Sequence, residues 1–478
     1  MILPIFLFFQ QPPATNDVEA NLKKFTQVLA IAQAQAADPV NTETAIYQGA
    51  IPKMLAHLDP HSVFFDPNQF EQLKEMEHAE SKGFGTVVSI LPGRVIILQA
   101  TAGTPSGKAG LAPGDEILAV NNVALSRLDP EQLVQFLGQA RQQTAYLIVR
   151  RPGSARMLTF TLNPELVDTP SVDRKFLLKP GIAYIRVASW DPKTGLQLKE
   201  AIEKLGGEKL KGLVLDLRNN PGGVVQAALD GASLFLKPGQ NILSVKGRNV
   251  KGETADVPKT ARPYTFPVSI LINEKTASAS EILTGALQDH DRATVVGEPS
   301  YGKGLVQNVM TLTGNTALAL TTAFYYTPSG RSIQKPLRTG QLEIEQSKQE
   351  YRTDSGRVVH GGGGIEPDVV AGIEAMTRLR AALDASGVMT AFATGYIRQH
   401  KIDEWFDVTP EILDQFEVYA AEHGIQPSFG EWSQERAWVT SRLKQEIVNQ
   451  GVSIEKGDEV EAQRDPQVRE AVKRLGVE

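Results

Sequence analysis

Four short apolar runs separated by helical spacing constrain this chain more than any other feature of it. Residues 182–187, 212–217, 268–272 and 293–296 are each the length of a buried strand and almost free of polar side chains. Between them the periodicity predicts helices over 195–205, 224–236 and 280–288. Strands that alternate with helices stack in layers, so residues 167–372 are expected to form a layered α/β core.

The flanks have different textures. Residues 15–80 are expected to be helical, with Leu22, Phe25, Leu29 and Ile31 and then Ile51, Met54, Leu55 and Leu58 at near-helical spacing, up to a break at Asp59-Pro60. Residues 81–166 carry short strands and glycine turns around one helix near 130–140, which predicts a compact, mainly β domain. Residues 373–478 are charged and helical, with Trp405, Phe406, Phe416, Tyr419, Trp432 and Trp438 as expected packing residues. Residues 1–14 fit either the atypical remnant of an export signal or an apolar terminus tucked onto a neighbouring helix: Met1 to Phe9 are apolar but too short to span a bilayer, and they carry no basic n-region.

Composition removes several functions. A net charge of −6 lacks the basic excess that a phosphate backbone requires, so nucleic acid is not an expected partner. The absence of cysteine excludes disulfides, thiolate metal sites and a cysteine nucleophile.

The chemistry concentrates in two segments. In Thr276-Ala277-Ser278-Ala279-Ser280-Glu281, a buried strand gives way to a helix, where free amides and the macrodipole favour developing negative charge. Ser278 is the candidate nucleophile there. The competing reading is an ordinary N-cap at Thr276, Ser278 or Ser280, with Glu281 completing a capping box. In Gly302-Lys303-Gly304, the glycines allow the backbone to bring Lys303 close to Ser278, and burial would favour its neutral, basic form. Gln307, four residues on, shares a face with Lys303 and is placed to orient it.

Two alternatives fit less well. Residues 297–303 match the first seven positions of a phosphate-binding loop, but Gly304 replaces the Ser or Thr that would hold magnesium, and an extended segment follows. A Ser-His-Asp arrangement would have to use His290, at a polar helix end expected to be solvated, or the distant His61 or His360. Gly222 and Gly223, which follow another buried strand, are candidate oxyanion donors together with Ala279; a plain strand-to-helix turn explains the two glycines equally.

In combination, Asp216-Leu217-Arg218-Asn219-Asn220-Pro221-Gly222-Gly223, the serine segment and Gly297-Glu298-Pro299-Ser300-Tyr301-Gly302-Lys303-Gly304-Leu305-Val306-Gln307 resemble the carboxyl-terminal processing peptidases. Leu58-Asp59-Pro60-His61-Ser62, the segment Tyr326 to Gln334 and Gly364-Ile365-Glu366-Pro367-Asp368 extend the likeness over residues 45–370. The resemblance implies an α+β multidomain protein: a peptidase core of the crotonase and caseinolytic-protease type, an inserted PDZ domain and helical ends. It makes Ser278 the nucleophile, Lys303 the general base and Gln307 its partner, gives Asp289 a structural role, and calls for no metal or organic cofactor.

Residues 83–166 resemble the family's PDZ domain, best in the segment Gly110 to Asn121. Gly83, Phe84, Gly85 and Thr86 then form the loop that receives a substrate's terminal carboxylate, with the following strand accepting the tail by β-augmentation. The expected function is endopeptidase cleavage near protein C-termini, in the periplasm or another extracytoplasmic space with membrane association through the N-terminus, and with helical segments available for self-association. The alternative is a PDZ adaptor with a latent peptidase core.

Overall fold

A computed structural model describes residues 15–77, 80–91, 93–151, 154, 156–168, 170–248, 250–336, 349–372 and 374–477. The expected export-signal remnant, residues 1–14, lies outside the described residues. The described residues form two compact units: those within 15–68 and 308–320 make one, and those within 69–307, 321–336 and 349–477 the other.

The smaller unit begins with the helix Thr15–Gln35, whose Leu22, Phe25 and Ile31 are all exposed. A π-helical turn, Thr44–Ala50, runs into the helix Ile51–Leu58. Beyond the Asp59-Pro60 break a short strand interrupts the expected helix, which resumes at Pro67–Glu77. Val63–Phe65 is a strand paired antiparallel with residues 317–319, and Phe64 stacks on Tyr47. A β-branched residue and two aromatics suit a pleated surface better than a helix.

The core of the larger unit is a six-stranded sheet in the order Val172–Lys179, Ile182–Val187, Gly212–Asp216, Val268–Ile272, Ala293–Gly297 and Val369–Val370. The first pair is antiparallel and the rest are parallel. Parallel strands need both faces covered, and side-chain alternation divides each strand between two cores. Leu213, Leu215, Ile270 and Val295 face the helices Thr194–Leu205, Val225–Ser233 and Ala279–Asp289. Val214, Leu271 and Val296 face the last helix, Pro466–Arg474, through Val468 and Ala471. The C-terminal helical segment therefore supplies one layer of the α/β core.

The mainly β domain is entered and left through an antiparallel ribbon of Glu80–Gly83 with Glu165–Asp168. Its sheet runs Thr86–Leu91, Arg94–Ala100, Glu116–Val120, Ala145–Arg150 and Leu158–Leu162, which leaves Thr86–Leu91 at an edge. The helix Pro130–Ala140 starts with a capping box between Asp129 and Gln132 and buries Leu133.

The C-terminal helices enclose a separate core that includes Phe416 and Trp432, with Phe406, Tyr419 and Trp438 packed against it. Trp405, expected to pack, is 83% exposed. It sits in the non-helical connection before Pro410–Glu422, where no helix face directs it inward.

Candidate active site

Two loops at the carboxyl ends of neighbouring parallel strands build the site, and short hydrogen bonds stitch them together. After Gly212–Asp216, the Asn219 amide donates to Asn273 Oδ1 at 2.9 Å and Asn273 Nδ2 returns a bond to Asn219 Oδ1. Thr276 Oγ1 donates to the Leu217 carbonyl at 2.8 Å, and the Ala277 amide to the Asn220 carbonyl at 2.9 Å. The carboxyl end of a parallel sheet is where open α/β folds place their ligands.

Ser278 stands at the entrance to the helix Ala279–Asp289 with φ 55° and ψ −117°. A side-chain-bearing residue in such a conformation costs about 1–3 kcal/mol, which the surroundings must supply. Gly222, at φ 101°, lies directly against it: a β-carbon there would stand 2.8 Å from the Ser278 β-carbon and 3.1 Å from the Ala279 nitrogen. Glycine is required at that approach.

Lys303 is half-buried and its ammonium donates to Gln307 Oε1 at 2.7 Å. The strand Leu305–Leu312 follows, so no helix N-terminus stands behind Gly302-Lys303 to cradle a phosphate.

Glu281 joins the two segments. Its carboxylate is fully buried, and Oε2 accepts the amides of Ser278 at 2.8 Å and Lys303 at 2.9 Å. The other oxygen, Oε1, accepts from the Gly302 amide at 2.7 Å and from the Ser300 hydroxyl. Burial holds this carboxyl above the ordinary range, against the opposing pull of the four donors. The bond from Ser278 to Glu281 is half of a capping box, so the helix-cap reading and the catalytic reading describe the same contact.

Of the candidate oxyanion donors, Gly222 is already engaged: its amide donates to Asn220 Oδ1 at 2.9 Å. The amides of Gly223 and Ala279 have no hydrogen-bond partner among the described residues. Gly223 is pinned beside Trp190, whose indole donates to Ser280 Oγ at 2.9 Å.

Other candidates lie elsewhere. Asp289 is buried in an ion pair with the fully buried Arg331 at 2.7 Å. His290 is not solvated as expected. Its ring nitrogens bond Asp354 Oδ2 and the Asn241 carbonyl, because the segment around residue 354 covers that helix end. His360 bonds Glu366. In the β domain, Gly83 to Thr86 lead into the edge strand, and the Gly85 carbonyl accepts from Ser106 Oγ and the Thr101 amide.

A model of peptidase family S41 matches residues 181–343, and one of a PDZ domain matches residues 96–151. The carboxy-terminal-processing protease of Bartonella bacilliformis is 35% identical over 306 residues, which cover 63% of this chain and 70% of that protein. This chain belongs to peptidase family S41. A carboxyl-terminal-processing protease of Synechocystis is 34% identical over 293 residues, 60% of this chain and 68% of its own length. Carboxyl-terminal-processing peptidase 2 of Arabidopsis thaliana, a chloroplastic protein, is 33% identical over 312 residues, 62% of this chain and 60% of its own length. As an S41 member the chain is a serine-type peptidase with a PDZ domain. Among its described residues no helix is long and apolar enough to cross a membrane.

Reasoning from sequence missed two residues of this arrangement. Glu281 was legible only as a cap. Asn220 carried no signal, because it sits in a turn rich in such residues.

Proposed function

We propose that this S41 peptidase cuts protein chains near their carboxyl ends with Ser278 as nucleophile and Lys303 as general base. The observation that carries the proposal is the shared Glu281 oxygen, which holds the amides of both residues at once. In its neutral form Lys303 takes the Ser278 hydroxyl proton as Oγ attacks the scissile carbonyl carbon. The resulting oxyanion is met by the Gly223 and Ala279 amides. Collapse breaks the C–N bond, and Lys303 returns the proton to the departing amine. Water then attacks the acyl-enzyme, gives its proton to Lys303 and releases the new carboxyl terminus while Ser278 recovers its hydroxyl. Gln307 orients the lysine through its side-chain carbonyl and adds no charge.

The PDZ domain receives the substrate tail at Gly83, Phe84, Gly85 and Thr86, and the unpaired edge of Thr86–Leu91 supports β-augmentation. Work in an extracytoplasmic space and self-association through the helical segments complete the reading; the exposed apolar residues of Thr15–Gln35 support the second. The test is cleavage of an unstructured protein by wild type, Ser278→Ala and Lys303→Ala. Both variants should lose turnover, and equal cleavage by all three would refute the assignment. Ser278→Ala should still retain tail binding.

A further inference from the structure

We infer that Tyr325 is a positioning residue of the peptidase site, setting the spacing between Ser278 and Lys303. The inference rests on the Ser278/Lys303 reading and adds a residue to it. Tyr325 lies in the strand Thr316–Tyr326 and is 2% exposed. Its phenol reaches two carbonyl oxygens, that of Lys303 in a very short contact and that of Ser278 at 3.1 Å. Its own amide donates to the Gly304 carbonyl at 3.0 Å, so the tyrosine is anchored to the same glycine-flanked loop that carries the lysine.

The meaning of these contacts comes from pairing them with Glu281. One carboxylate oxygen holds the N–H of Ser278 and the N–H of Lys303; one phenol oxygen touches the C=O of Ser278 and the C=O of Lys303. Each residue therefore has the peptide groups on both sides of its α-carbon tied to a shared side chain. Fixing both peptide planes fixes the direction of the Cα–Cβ bond between them, and hence the point from which the hydroxyl or the amine reaches into the site. The Glu281 carboxylate alone fixes one plane of each residue. The first amides of the helix hold the second plane of Ser278, and Tyr325 supplies the second constraint on Lys303. A phenol has a single proton, which goes to the closer Lys303 carbonyl. The Ser278 carbonyl already accepts the Glu281 and Ile282 amides and meets the phenol oxygen at its edge.

The donor is a constant one. Burial and the neighbouring Glu281 carboxylate hold the Tyr325 phenol well above the ordinary tyrosine range, so it stays protonated wherever the peptidase works. The aromatic ring meanwhile packs in the same apolar core as Ile282 and Leu283 of the nucleophile helix. Tyr325→Phe keeps that ring and removes only the hydroxyl.

The test compares Tyr325→Phe with wild type, counting competent enzyme by titration of Ser278 with a fluorophosphonate. Expected are a fall in kcat of about tenfold to a hundredfold, as sub-ångström misplacement of reacting groups produces, and a KM within about twofold. The rising limb of the pH–rate profile should move as well, because the environment of the amine changes with its loop. A structural role alone would lower the titratable fraction or the melting temperature and leave kcat per titrated site and the pH limb at wild type, and that result overturns the inference. If Ser278→Ala and Lys303→Ala retain full turnover, the underlying dyad is wrong. If both are inactive while Tyr325→Phe is unimpaired, only the positioning role fails.

Discussion

Arg218 donates through Nη1 to Asp465 at 2.6 Å, joining residues 247 positions apart. The same guanidinium binds both oxygens of Asp216, a carboxylate that is 1% exposed and also accepts the Tyr184 hydroxyl at 2.7 Å. Asp216 ends the strand that leads into the Gly222-Gly223 loop, and Asp465 caps the helix on the far face of the sheet. The last helix is thereby linked to the strand that leads into the Gly222-Gly223 loop through one side chain.

Arg218→Met should be severely destabilised, because it leaves Asp216 buried without its cation. The expected loss is about 3–5 kcal/mol in urea unfolding, the usual effect of removing one partner from a buried ion pair. A double-mutant cycle with Asp465→Asn should return a coupling of about 1 kcal/mol or more. Additive effects would show that the two ends are independent.

A β-carbon at residue 223 would stand 2.0 Å from the Trp190 carbonyl oxygen, and φ there is 139°. Gly223→Ala should lose about 2 kcal/mol or more and most of its peptidase activity. Gly138→Ala is the contrasting case: it lies in a helix with nothing within 4 Å of the added atom. It should gain about 0.5–1 kcal/mol through reduced freedom of the unfolded chain. Thermal melts of the two variants check both signs.

Asn220 is fully buried, accepting the Gly222 amide and donating through Nδ2 to the Val187 carbonyl at 2.8 Å. Asn220→Ala strands two buried groups, for an expected loss of about 2–4 kcal/mol. It also frees the Gly222 amide, next to the Gly223 amide proposed to meet the oxyanion. Measured at a temperature where the variant is folded, kcat/KM should still fall about tenfold or more.

Asp458 pairs with Arg174 at 2.8 Å, yet burial pushes its carboxyl up to about 6. The folded protein therefore holds a proton that the unfolded chain releases near pH ~4. The group's contribution is full below that pH and is lost as pH rises to about 6, a change of about 3 kcal/mol. Asp458→Asn cannot titrate, so its unfolding free energy should change less between pH 4 and 6 than that of wild type. Identical pH profiles for the two proteins would refute the assignment.

What was legible in advance depended on how local the signal is. The strands around Leu213, Ile270 and Val295 were readable because both faces of each are buried, which leaves runs with almost no polar residue. Ser278 and Lys303 could be singled out as candidates because small residues and glycines mark the two loops. The contacts that hold them together were harder to see, since each joins distant positions. Glu281 looks from sequence like any capping glutamate, although its carboxylate also takes two amides from residues 302 and 303. Asn220 displaced Gly222 from the free donors by a bond only two residues long, which depends on a turn geometry that the letters do not specify. The role of Pro466–Arg474 was hidden because a helix that covers a sheet has the same amphipathic pattern as one that packs on other helices.

The bond from the Trp190 indole to Ser280 has a practical consequence. Of the four tryptophans, Trp190 alone lies in the catalytic core; the other three fall between residues 405 and 438. Replacing those three with phenylalanine would leave a single tryptophan, bonded to a residue two positions from the proposed nucleophile Ser278 and packed against Gly223. Its emission would then provide an optical record of acylation and deacylation in real time, without a label attached to the enzyme.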